Sequence, residues 1–197
     1  MGCYMLNLYI VRHGKTEWNN LHLAQGSKDI PLNETGLEEA KKLIPKVKAR
    51  NIDICISSPL QRAKQTAEII CDGQIPIIYD KRLVERSFGD YEGTKMDMDI
   101  VHRQWDYNLN TNEHNIEPVR DCLKRAESFL DYLRKEYHDK NILIVSHGCL
   151  IKCLHYCING YDEKTDFEDF FPLNADGKDY VIDNVLEKEL TKKTSSD

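Results

Sequence analysis

Two short segments of the 197-residue chain place a histidine directly before a glycine, Arg12-His13-Gly14 and Ser146-His147-Gly148. Each closes an apolar run, MLNLYIV over 5–11 and NILIV over 141–145. A third segment, SSPLQRAKQTAEII, carries Arg62 near the start of what reads as a helix, where free backbone N–H groups already favour anions. Arginine binds phosphate oxygens bidentately and keeps its charge near neutral pH, whereas histidine there can be neutral and nucleophilic. The set suits a phosphoryl acceptor in a cationic pocket, with Gly14 leaving room for a ligand beside the imidazole. Taken singly, His13 also admits a plainer reading, a loop filler with Arg12 paired to a surface carboxylate.

These residues need elements to hold them. The run 5–11 suits a central strand buried on both faces, so its polar sequel sits at a strand's carboxyl end. In TGLEEAKKLIPKVKARN, Thr35 and Glu38 form a capping-box pattern, and Leu37, Ala40, Leu43, Ile44 and Val47 share a helical face, with a kink expected near Pro45. IDICIS is a second strand; Ser58 is the expected N-cap of the next helix and Pro59 its first residue. PIIY reads as a short strand, and the stretch from Glu85 to about Asn115 has no strong periodicity. Val119, Cys122, Leu123, Ala126, Phe129, Leu130 and Leu133 mark another amphipathic helix, followed by the NILIVSHG strand and a helix from Cys149. KDYVID is an expected edge strand, and the charged tail over 187–197 is expected to fray. Such alternation predicts an α/β fold, a three-layer α/β/α sandwich with a mostly parallel central sheet, whose ligand site lies beyond the carboxyl ends of the strands.

The composition, 41% apolar and 30% charged, fits one domain over residues 1–197. A net charge of −6 without a basic block argues against nucleic-acid or membrane-surface partners, so any bound anion must be held by local cations. No run approaches the roughly 18 apolar residues of a membrane span, and an early arginine interrupts any secretory h-region, which points to the cytoplasm. The MGC start lacks the Ser or Thr of a myristoylation signal, Leu6 standing there instead. Seven cysteines, mostly inside apolar runs, read as reduced and buried. Cys149, Cys153 and Cys157, with His155 nearby, read as core packing rather than a zinc site. Six positions after Cys55 stands Gln61, which removes the cysteine-phosphatase spacing, and Asp97-Met98-Asp99-Ile100-Val101 lacks the preceding buried strand that an aspartate nucleophile needs.

Together RHGKTEWN (12–19), SSPLQRAKQTAEII (57–70), ERSFGDYEG (85–93) and SHG (146–148) resemble the histidine phosphatase superfamily, the phosphoglycerate mutase-like proteins, over about residues 5–160. The resemblance implies the phosphoglycerate mutase-like fold and a metal-independent, cofactor-free phosphotransfer. In that scheme His13 forms a phosphohistidine, Arg12, Arg62 and His147 surround the phosphoryl group, and Glu85 protonates the leaving oxygen. It further implies phosphate contacts from Asn19, Gln25, Gly26 and Gly148. Lys15 and the Ile116-Glu117-Pro118 turn depart from the family's usual residues, Lys15 adding positive charge near the pocket mouth.

Phe88-Gly89-Asp90-Tyr91-Glu92-Gly93 resembles the phosphatase branch more than the glycolytic mutases. The expected activity is hydrolysis of a small phosphorylated metabolite. A mutase and a catalytically silent phosphoester-binding protein are the alternatives. Substrate-selecting residues are expected between about Asp90 and Asn115, Trp105 and Tyr107 among them.

Overall fold

Alternation along three strands builds a sheet with two apolar faces. The computed structural model describes residues 5–183. Its elements run β1 (Met5–Arg12), α1 (Glu17–Asn20), α2 (Glu34–Lys48), β2 (Ile54–Ser57), α3 (Gln61–Cys71), β3 (Ile77–Tyr79), α4 (Met98–Trp105), α5 (Val119–Glu136), β4 (Asn141–Ser146), α6 (Gly148–Asn159) and β5 (Gly177–Asp183). Leu8, Ile10, Ile56, Ile142 and Ile144 join the α5 and α6 side chains in one core. Tyr9, Val11, Cys55, Leu143 and Val145 point the other way, into a second core with α2 and α3. Successive strand residues face opposite sides, so one sheet supplies both cores and the result is three layers.

The strand order is β3-β2-β4-β1-β5, parallel throughout except for β5, which lies antiparallel along β1 at one edge. Helix α5 buries all seven residues of its expected apolar stripe. Cys55, Cys71, Cys122, Cys149 and Cys153 are buried with free thiols, and Cys157 is half-buried. His155, on the same helix as Cys149, Cys153 and Cys157, turns to other partners, its Nδ1 lying 2.9 Å from the Tyr180 hydroxyl and its ring centroid 4.0 Å from that of Phe170. Among the described residues no helix is long and apolar enough to cross a membrane. The tail over 187–197 lies outside the described residues.

Three local expectations change. Helix α2 is capped by Asn33, whose side chain accepts from Gly36 N at 2.9 Å, while Glu38 pairs with Lys41; α2 continues through Pro45 to Lys48. Helix α3 starts at Gln61 rather than at Pro59, and its first N–H is taken at 2.6 Å by Asp29 from a distant loop. Ser58 Oγ still accepts from Leu60 N at 3.3 Å and also faces the site described below. The aperiodic stretch contains α4, capped by Asp97, which accepts from Ile100 N. Only eight residues long, α4 buries Gln104 and Trp105 at its end, too short a stripe for periodicity to reveal.

Candidate active site

Parallel register brings the two histidines together. Arg12 of β1 pairs with Ser146 of β4, and His13 N donates to Ser146 O at 3.0 Å. Ser57 of β2 pairs with Val145, whose carbonyl takes the Ser58 N–H. Ser58, His147 and His13 therefore stand at three neighbouring strand tips, and the imidazole centroids are 5.1 Å apart.

Hydrogen bonds set the tautomers. His13 Nδ1 lies 2.7 Å from the Gly14 carbonyl, which only accepts, so Nδ1 carries the proton and Nε2 keeps its lone pair. Arg62 Nε donates to His147 Nδ1 at 3.1 Å, which leaves the proton on His147 Nε2, 2.8 Å from Ser58 Oγ. Burial pushes both histidines well below the ordinary pKa; Arg62 and Arg12 lower His13 further, and Arg62, His13 and the other cations lower His147. Both rings are neutral near pH 7, the state in which His13 is a nucleophile.

Arg62, from the first turn of α3, is fully buried; its Nη1 and Nη2 donate to the carbonyls of Lys28 and Gly26 at 2.7 and 2.8 Å. Burial lowers its pKa to about 10, so it keeps its charge at neutral pH. Arg12 donates through Nη1 to Pro172 O at 2.8 Å, lies 5.1 Å from the Phe171 ring centroid, and has a buried Nε without a hydrogen-bond partner among the described residues. Burial lowers its pKa while Glu85 opposes the shift. Glu85, on the loop before α4, is clamped by three backbone donors: Arg86 N at 2.9 Å, Leu150 N at 3.1 Å and Cys149 N at 3.2 Å. The last two are free donors of the α6 N-terminus, a natural carboxylate site.

The remaining expected residues take mixed places. Asn19 lends its Oδ1 to the capping box of α1, accepting from Thr16 N at 3.0 Å, which turns its Nδ2 away from that contact. Gly26 has φ +49°, and a side chain there would meet the Glu92 carboxylate at 2.1 Å. Its turn engages Arg62 through a carbonyl, and Gln25 is buried with Oε1 unpartnered among the described residues. Gly148 opens α6; a Cβ there would lie 3.3 Å from Arg12 Cζ. The space beside Gly14 is occupied by protein rather than left for a ligand, since a Cβ would come 2.4 Å from Gly36 O of α2. Lys15 leans to Glu39, 3.5 Å away, which offsets the charge expected at the pocket mouth. Glu117 accepts from Ser87 N and pairs with Arg125 at 2.8 Å, bracing the loop that carries Glu85.

Residues 171–175 also enter the site. Asn174 Nδ2 and Ala175 N both donate to His13 O, at 3.0 and 3.2 Å, and Arg12 N donates to Asp176 O. Thr66 Oγ1 accepts from Gly14 N at 3.1 Å. No sequence motif marked Phe171 to Asp176, and Thr66, though inside the 57–70 motif, was not singled out, because these residues act on backbone groups and need only arrive at the right place.

The model of the histidine phosphatase superfamily (branch 1) matches residues 8–175. The chain is 38% identical over 159 residues to the uncharacterized phosphatase PhoE of Bacillus subtilis, covering 80% of each. It is 31% identical over 173 residues to a 2,3-bisphosphoglycerate-dependent phosphoglycerate mutase of Methylobacterium, covering 80% of this chain and 83% of that one. Among solved structures, phosphoserine phosphatase of Entamoeba histolytica in complex with 3-phosphoglyceric acid superposes with a TM-score of 0.74 at 28% identity, over 88% of this chain and 89% of that one.

Proposed function

Since the chain belongs to the histidine phosphatase superfamily, branch 1, we propose that it hydrolyses the phosphomonoester of a small metabolite through a phosphohistidine on His13, without a metal ion. The observation that carries this reading is the bare Nε2 of a neutral, buried His13, set beside His147, Arg12 and Arg62. Nε2 attacks phosphorus and the ester P–O bond breaks, the Glu85 carboxyl delivering a proton to the leaving oxygen. Water then attacks phosphorus from the same pocket, Glu85 takes the water's proton, the N–P bond breaks and phosphate departs. Arg12, Arg62 and the His147 imidazole surround the phosphoryl group, the two guanidinium charges offsetting that on its equatorial oxygens. Asn19, Gln25, Gly26 and Gly148 complete the wall around the phosphoryl group.

The test is phosphate release from p-nitrophenyl phosphate in chelator, with acid quenching to trap labelled enzyme. An acid-labile phosphoenzyme formed in a burst, and a loss of at least about 10³-fold in kcat for His13→Ala with the fold retained, are expected. Release without labelling removes His13 as nucleophile. Labelling whose turnover depends on a bisphosphorylated primer would instead make the protein a mutase, and phosphate binding without labelling would make it a binder.

A further inference from the structure

Ser58 serves a different purpose from the one its place in the sequence suggests. Standing before Pro59 it reads as a helix cap, yet α3 begins at Gln61 and its cap residue, Leu60, makes no side-chain hydrogen bond. A capping hydroxyl takes an N–H of the helix's own first turn; Ser58 Oγ takes Leu60 N, ahead of the helix, at 3.3 Å. Its shorter contact is 2.8 Å to His147 Nε2, 89 residues away, and the residue is fully buried.

The direction of that contact is fixed from the other side of the ring. Arginine has donors and no acceptor, so His147 Nδ1 takes the Arg62 Nε–H and the neutral ring carries its proton on Nε2. Ser58 Oγ therefore accepts, and with Leu60 N both of its lone pairs are used. The result is one file of hydrogen bonds, Arg62 Nε to His147 Nδ1 and His147 Nε2 to Ser58 Oγ, in which each link polarises the next. The Ser58 end is anchored to the sheet: its N–H is bonded to Val145 O at 2.9 Å, and its carbonyl accepts from Ser57 Oγ at 3.0 Å.

At the Arg62 end, Nη1 and Nη2 each give one N–H to the carbonyls of Lys28 and Gly26. With Nε spent on His147, one N–H on each Nη is left for an anion, and the plane of the guanidinium sets where those two point. That plane leans on the imidazole. Turning the ring over would put carbon where each nitrogen stands and break both hydrogen bonds, and histidine χ2 is a soft, roughly two-fold torsion that a single bond restrains poorly. An alanine would fill the tip of β2 without burying a hydroxyl, so the oxygen is there for its hydrogen bonds.

We propose that Ser58 is a positioning residue of the phosphoryl site: by accepting the His147 Nε2 proton it holds the ring, and through the ring the Arg62 guanidinium, in the geometry that receives the phosphoryl group. This rests on the phosphomonoesterase reading above and adds a hydroxyl that takes no part in the chemical steps themselves.

The test is a double-mutant cycle on kcat/KM for p-nitrophenyl phosphate with Ser58→Ala, His147→Ala and the pair. Ser58→Ala alone is expected to lower kcat/KM by about tenfold, the scale of leaving a buried N–H without its partner. In the His147→Ala background the same change should cost less than about twofold, because the residue through which it acts is gone. Equal losses in both backgrounds, or no loss in the wild-type background, overturn the assignment. Histidine 15N spectra of the wild type decide the matter if a variant does not fold: His147 is expected as the Nε2–H tautomer with Nδ1 bare, and an Nδ1–H tautomer overturns the assignment. Wild-type turnover separates the two levels. Hydrolysis with equal losses removes Ser58 alone, and no hydrolysis removes the parent reading and this assignment with it.

Discussion

At the residue scale the two carboxylate oxygens of Glu85 divide three backbone donors, so the group is aimed without a side-chain hydrogen bond among the described residues. Its proposed role as proton donor has a substrate-dependent signature. Glu85→Gln should lower kcat/KM for an alkyl phosphate by about 10²–10⁴-fold, and for p-nitrophenyl phosphate by far less, since an activated aryl leaving group departs without protonation. The ratio of the two substrates is insensitive to the fraction of variant that folds. Equal slowing would remove the proton-donor role. His13 is held just as tightly but from its backbone, by Asn174 and Ala175 on the carbonyl and Ser146 on the N–H side.

At the element scale, the close approach of α2 to the end of β1 depends on two facing glycines. A Cβ on Gly14 would meet Gly36 O at 2.4 Å, and one on Gly36 would meet Lys15 O at 2.1 Å. Both obstacles are backbone, so relief requires the helix itself to move. Gly14→Ala is expected to cost about 1–3 kcal/mol or more in urea denaturation, beyond any effect on turnover, because overpacking forces backbone shifts. An unchanged midpoint would show that α2 is not pinned by this contact. The same contact explains why α2 is capped from Asn33: its first turn must present Gly36, with no side chain, to the active-site loop.

For the whole molecule, two neutral histidines inside a cationic site tie stability to pH. His13 and His147 have folded pKa values below the ordinary value near 6.5, so between those limits the unfolded chain binds more protons than the native one. Stability is therefore full above pH about 6.5 and falls as pH drops below it, by up to about 1.4 kcal/mol per pH unit for each ring. His155, lowered by burial, adds to this trend; His102, raised by Glu168, opposes it from an exposed position where screening keeps the effect small. The urea midpoint should drop between pH 7.5 and 5.5, and His147→Asn should flatten the drop. A midpoint constant across that range would show that the rings are not held neutral.

Much of the fold was legible along the chain because its signals are local. The apolar runs of β1, β2 and β4, the stripe of α5 and the His-Gly pairs at strand ends each lie within a few residues, and parallel pairing then leaves few places for Arg12, His13 and His147 to go. Arg62 was legible from its place at the start of a helix, whereas Glu85 was recognised through the motif resemblance, without which a loop glutamate carries no distinguishing pattern. What only the tertiary structure decided are contacts between distant segments: Asp29 capping α3, Gly36 filling the space beside Gly14, and Ser58 turned to His147. The partnership of Asn174 with His13, 161 residues apart, belongs with them.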